Sequence, residues 1–223
     1  MSFVVAPASC RRIFLPCLSA SLLLLALSFG PFFLFAQQNS HAAPRSHDAF
    51  VSTLSEAALE QTHGTVRYDG SYVRIPYPGG DVPANIGVCT DVLIRAYRAV
   101  GIDLQKEVHE DIANNISAYP LRRYSSTPHT DTNIDHRRVP NLMVFFGRRG
   151  KSLAVTDQPK DYVPGDVVAW NLGGGVLHVG LVVNHKSPAG DRWMIVHNIG
   201  QGPKLEDVLF NWKIIGHYRY FGP

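Results

Sequence analysis

Cys89 is the residue whose type and place promise the most chemistry. It opens an apolar run, Thr90 to Val100, in which Val92, Leu93, Ala96 and Tyr97 share one helical face and Gly101 supplies a stop. A thiol at that point faces unpaired backbone N–H groups and the positive end of the helix dipole, and both favour the thiolate. A nucleophile also needs a base. His178 begins the run His178-Val179-Gly180-Leu181-Val182-Val183 just after a glycine turn, where an imidazole is placed to take the thiol proton and return it to a leaving amine. A third polar group must then hold that imidazole in its useful tautomer. His197 and Asn198 end the next predicted strand, and alternation lets only one of them serve; His197 is preferred, with Asn198 in reserve. The backbone N–H of Cys89 would meet the oxyanion, assisted by Tyr77 from the preceding loop. Against all this stands the ordinary fate of a lone cysteine, which is burial as a small hydrophobe.

The elements that must position these groups follow from periodicity and punctuation. Phe50, Leu54, Ala57 and Ala58 predict a first helix, with Asp48 to cap it and Gly64 to end it. Tyr68 to Ile86, with Tyr77-Pro78-Gly79-Gly80, reads as an ordered loop. Asp103 caps a third helix through Leu104, Val108 and Ile112. Ser117 to Arg137 is polar and irregular, and Val139 to Phe146 predicts a helix with Pro140 in its first turn. Short β-rich runs follow at Val167 to Trp170, His178 to Val183, Trp193 to His197 and Ile214 to Tyr220, separated by glycine turns. Helices first and strands afterwards predict an α+β domain with an antiparallel sheet.

Ile13 to Ala36 carries no charge and follows Arg11-Arg12, the pattern of an export signal, with Ser40-His41-Ala42 as its cleavage site. The expected division is a signal over residues 1–42, a leader and helix over 43–66, and one domain over 67–223. A membrane would be touched only through an uncleaved signal. The chain has 21 lysines and arginines against 18 aspartates and glutamates, and the segment holds two of the former and none of the latter. The remainder is nearly neutral, so nucleic acid is not an expected partner. Cys10 and Cys17 leave with the signal, and Cys89 then has no internal partner for a disulfide.

Gly87-Val88-Cys89-Thr90-Asp91, Pro164-Gly165-Asp166-Val167-Val168 and His178-Val179-Gly180-Leu181-Val182 resemble the plan of the NlpC-type cysteine peptidases of bacterial cell walls. From Asp69 to Tyr220, including Asn133-Ile134-Asp135-His136-Arg137-Arg138-Val139-Pro140 and Val196-His197-Asn198-Ile199-Gly200, the chain is more similar to a bacterial amidase-like family, domain of unknown function 1287. The resemblance implies a papain-like fold and a triad of Cys89, His178 and His197. Val88-Cys89-Thr90-Asp91 departs from the peptidases' usual Asp-Cys-Ser-Gly, and Tyr77-Pro78-Gly79-Gly80 is one residue tighter than their tyrosine-glycine motif.

The run Asp135, His136, Arg137 and Arg138 reads either as a solvated helix start or as a rim binding peptide carboxylates, since paired guanidinium groups grip carboxylates in bidentate fashion. Asp91 and Asn198 join it as candidate substrate contacts. A zinc site from His136, His178 and His197 is the competing use of histidine, but the chain has no HExxH and no paired-cysteine spacing. No cofactor is expected. The combined expectation is a monomeric exported cysteine hydrolase, periplasmic or secreted, cutting an amide bond in peptidoglycan peptides. The alternatives are an envelope-binding protein with an inert thiol and a thiol acyltransferase.

Overall fold

The computed structural model describes residues 46–223, so the predicted signal lies outside the described residues. Among the described residues four α-helices form where the apolar spacing predicts them: α1 (His47–Glu60), α2 (Cys89–Ala99), α3 (Leu104–Asn114) and α4 (Val139–Arg149). Among the described residues no helix is long and apolar enough to cross a membrane. The cap of α1 is Ser46, whose hydroxyl accepts from the Ala49 N–H at 3.2 Å. Asp48, expected in that role, sits inside the first turn. Asp103 caps α3 by accepting from Gln105 N–H at 3.0 Å, and Pro140 stands in the first turn of α4, where its missing N–H costs nothing.

The strands are β1 (Arg67–Tyr68), β2 (Ile86–Gly87), β3 (Lys151–Ser152), β4 (Asp166–Asn171), β5 (Leu177–Lys186), β6 (Trp193–Asn198), β7 (Pro203–Glu206) and β8 (Lys213–Arg219). The first two form a short parallel pair. The others make one antiparallel sheet in the order β3-β8-β4-β5-β6-β7, so β5 lies between β4 and β6. In the register, Trp170 stands opposite His178 and Leu181 opposite Val196. The fold is thus mixed α and β, four helices with an antiparallel sheet.

Alternation along these strands gives two apolar layers. Val167, Ala169, Val179, Leu181, Val183 and Val196 join the core built by the helices, with Leu54, Leu93, Tyr97, Leu142 and Phe145. Val168, Trp170, Val182 and Ile195 face the other way and are covered by Tyr162, Val208, Leu209 and Trp212 from connecting segments. A sheet buried on both faces explains why its strands read as continuous apolar runs rather than alternating ones.

Candidate active site

Cys89 is the first residue of α2, and its sulfur belongs to the helix-side core. Two features set the geometry of that helix start. The Asp91 carboxylate accepts the N–H of Val88 at 2.7 Å, and Arg137 grips the same carboxylate with Nε to Oδ1 at 2.9 Å and Nη2 to Oδ2 at 3.0 Å. The guanidinium also donates to the carbonyls of Ser71 and Asp69 at 3.1 and 3.2 Å, tying the segment after β1 to the cysteine helix.

His178 and His197 come together. Their strands are neighbours, and Nε2 of His178 lies 2.7 Å from Nδ1 of His197. His197 Nε2 in turn lies 2.8 Å from Glu206 Oε2 on β7. Trp170 and Trp212 flank His178, at ring separations of 5.8 and 6.2 Å, and both histidines are buried. Gly180 makes this packing possible. A Cβ there would stand 2.7 Å from Ile195 Cγ2 and 3.1 Å from His197 Cβ, so only glycine lets β6 carry His197 so close.

The thiol meets β5 at the residue after His178. The backbone N–H of Val179, with those of Thr90 and of Cys89 itself, favours the thiolate. Burial opposes them and prevails, and with the charge of Asp91 it pushes the thiol up to about 11. The sequence argument for an ionised sulfur is therefore corrected: a helix N-terminus does not offset the desolvation of a sulfur this deeply placed. Burial likewise pushes His178 down to about 3, with the charge of His197 adding to the effect. His197 is lowered by burial too, against the pull of Glu206. Among the described residues no hydrogen bond joins Cys89 to His178.

Several other expectations need correction. Asn198 points to the opposite face from His197, donating to the Gly87 carbonyl at 3.2 Å, so it is no reserve partner for His178. Tyr77 packs its ring edge on His109 of α3, 5.2 Å away. The tyrosine near the thiol is Tyr68, half exposed, its hydroxyl pKa raised by burial and then by the nearness of Cys89 and Asp91. Asp91, Asp135, His136 and Arg137 are all buried, so they form no solvent-facing rim. Arg137 is held by Asp91, and Asp135 Oδ2 lies 3.0 Å from His109 Nδ1 and accepts the N–H of Asp131. His136 sits near Arg137, Arg98, Asp81 and His109, and burial pushes it down to about 3. Arg138 alone of that run is partly exposed, with its guanidinium 3.9 Å over the ring of Tyr124.

Sequence reasoning missed Tyr68, Glu206 and the Asp91–Arg137 pair. Alternation of Leu205 and Glu206 beyond the turn at Gly202 was the available signal for β7, and Tyr68-Asp69-Gly70 the signal for a second tyrosine-glycine element. A crevice of about 160 Å³ beside His197 is lined by His197, Ile199, Gln201, Gly202, Lys204 and Glu206. No group of three or more potential metal-binding side chains is assembled among the described residues.

The family model described as Domain of unknown function (DUF1287) matches residues 55–220. The chain is also 48% identical over 168 residues to "Uncharacterized protein YijF" of Escherichia coli (strain K12), an alignment covering 75% of this chain and 80% of that protein. No solved structure matches the chain. All the residues of the site, from Tyr68 to Glu206, fall inside the matched span, and the chain belongs to the DUF1287 domain family.

Proposed function

We propose that this chain is an exported papain-like thiol hydrolase that cleaves an amide bond in peptidoglycan peptides. The observation that carries the reading is the polar chain from the buried His178 and His197 to Glu206 at the sheet edge, which begins one residue from the N–H aimed at Cys89. A buried imidazole needs hydrogen-bond partners on stability grounds alone, so what supports catalysis is the place of this polar chain, one residue from the N–H aimed at Cys89.

In this reading the resting thiol is uncharged and His178 acts as general base. The S–H proton moves to the imidazole as sulfur bonds to the amide carbon. The C–N bond then breaks, the proton passes to the leaving amine, and an acyl thioester remains on Cys89. Water gives its proton to His178 as it attacks the thioester, and that proton returns to sulfur as the acid product leaves. The N–H of Cys89 and the Tyr68 hydroxyl are the donors for the oxyanion. A rearrangement on substrate binding must bring thiol and imidazole together, since Cys89 belongs to the helix-side layer whereas His178 stands opposite Trp170 of the other layer; catalytic contacts are often long in the free enzyme. Arg138 is the remaining basic side chain of the Asp135–Arg138 run for a peptide carboxylate.

The test is digestion of purified peptidoglycan with mass spectrometry of what is released. Wild-type protein is expected to release peptide fragments, and Cys89→Ala and His178→Ala none. Fragments from Cys89→Ala, or none from any protein, would remove the reading. The high thiol pKa favours a second reading, a binding module of the same fold with an inert thiol. It predicts that wild type and Cys89→Ala retain wall material equally and leave it uncut. Transfer of the acyl group to an amine, the acyltransferase reading, would appear in the same spectra as a product heavier than the hydrolysed one.

A further inference from the structure

We propose that Glu206 is a positioning residue that fixes the tautomers of both histidines, so that the lone pair of His178 sits on Nδ1, the one ring nitrogen free to act as base. The inference rests on the hydrolase reading for its purpose, but its geometry stands independently.

An ionised carboxylate only accepts hydrogen bonds, so the His197 nitrogen 2.8 Å from Glu206 Oε2 must carry a proton. That nitrogen is Nε2. A neutral imidazole has one N–H, which leaves Nδ1 of His197 as an acceptor. The nitrogen 2.7 Å from it, Nε2 of His178, must then be the donor. His178 is thereby left with its lone pair on Nδ1, and among the described residues Nδ1 has no hydrogen-bond partner. Both rings are held neutral, since burial lowers each below its ordinary value.

The opposite order is excluded while the carboxylate is charged. If Nδ1 of His197 carried the proton, its Nε2 lone pair would face Glu206 across 2.8 Å, acceptor against acceptor. His178 would then hold its proton on Nδ1 and have no lone pair on that nitrogen to act as base. One carboxylate thus sets the direction of two hydrogen bonds, and the second ring relays its effect. Glu206 does so from the edge of the sheet, where its side chain is 41% exposed and His197 is 1% exposed. It sits in the crevice of about 160 Å³ with Lys204 and Gln201, whose side chains bond to each other at 2.8 Å rather than to the carboxylate.

The direct test is long-range nitrogen–proton NMR of the imidazoles in uniformly labelled chain at neutral pH, with His197→Gln to assign the pair. Wild type is expected to show His178 and His197 both protonated on Nε2 and bare on Nδ1. In Glu206→Gln the amide can donate as well as accept, so the spectra are expected to show the other tautomer of His178 gaining population. Glu206→Asp, which restores the charge, is expected to return the wild-type pattern. Wild-type His178 protonated on Nδ1, or tautomers identical in Glu206→Gln and wild type, would overturn the proposal. A merely structural glutamate would move the melting temperature without moving the tautomers. If peptide release from peptidoglycan is observed, Glu206→Gln is expected to lower kcat by ~10²-fold or more with KM little changed, a smaller loss than the roughly 10⁴-fold seen when the orienting carboxylate of a serine protease is amidated. Expected tautomers with no peptidoglycan cleavage would sink the hydrolase reading and leave the role of Glu206 intact; cleavage with the opposite tautomers would do the reverse.

Discussion

Removing the guanidinium of Arg137 is the sharpest perturbation of the scaffold that holds Cys89. Its side chain and that of Asp91 are 2% and 3% exposed, and the pair is bidentate at 2.9 and 3.0 Å. In Arg137→Met the stem is replaced by a side chain of similar reach, but the Asp91 carboxylate stays buried with only the Val88 N–H as partner. Breaking one partner of a buried pair costs ~3–5 kcal/mol, against ~0–1 kcal/mol for a surface pair. The two carbonyls of Asp69 and Ser71 also lose their donors, although that segment is more open to water. A loss of about 4 kcal/mol corresponds to a fall in Tm of roughly 8–16 °C for a domain of this size. Urea unfolding followed by tryptophan fluorescence gives the free energy, and a thermal melt gives the shift. Asp91→Asn combined with Arg137→Met removes the stranded charge, so the double variant should recover about 2 kcal/mol of the loss. The reasoning is refuted if Arg137→Met lies within about 1 kcal/mol of wild type, as an exposed pair would, or if the double variant is no more stable than the single one.

Three further outcomes are expected. His136 is buried and pushed from 6.5 down to about 3, so between those values the unfolded chain binds the extra proton; stability is full above about pH 6.5 and falls toward pH 3, by on the order of 5 kcal/mol from this residue. His136→Gln should flatten the slope of unfolding free energy against pH over that interval, and an unchanged slope would refute the assignment. Cys89, pushed up to about 11 from an ordinary 9.0, should react with iodoacetamide at a rate that climbs roughly tenfold per pH unit past pH 9, whereas a plateau below pH 8 would show an ionised thiol instead. Gly180→Ala forces a Cβ against Ile195 and His197 and should cost ~1–3 kcal/mol while loosening the His178–His197 contact, read from its imidazole NMR signals; a neutral substitution would mean that β6 can retreat without loss.

The helices and the central strands were legible in the sequence because their apolar periods are long and unbroken, as in Val92-Leu93-Ala96-Tyr97 and Val179-Leu181-Val183. The meeting of His178 with His197 was legible from alternation on adjacent strands. What escaped was decided at longer range. Pro203-Lys204-Leu205-Glu206 announces β7 only by the short alternation of Leu205 and Glu206, too brief to be read as a strand, so the carboxylate that ends the polar chain was recognised only once the sheet placed it. Arg137 belongs to a charge run, and such runs are usually solvated; its burial depends on Asp91, 46 residues away. Tyr68 was overlooked for Tyr77 because β1 is two residues long and carries no periodicity of its own. The helix start was read correctly as a place that favours a thiolate, yet the depth of burial that overrides it is a property of the whole core.

The claim at the centre of the account is that an acyl group is carried on the sulfur of Cys89. Wild-type protein mixed with peptidoglycan peptides, quenched in acid within its first turnover and digested, should yield a Cys89 peptide heavier by one acyl fragment, with the adduct lost on treatment with hydroxylamine. Release of cleaved peptides with Cys89 unmodified at every time point, or with the adduct on another residue, would contradict it.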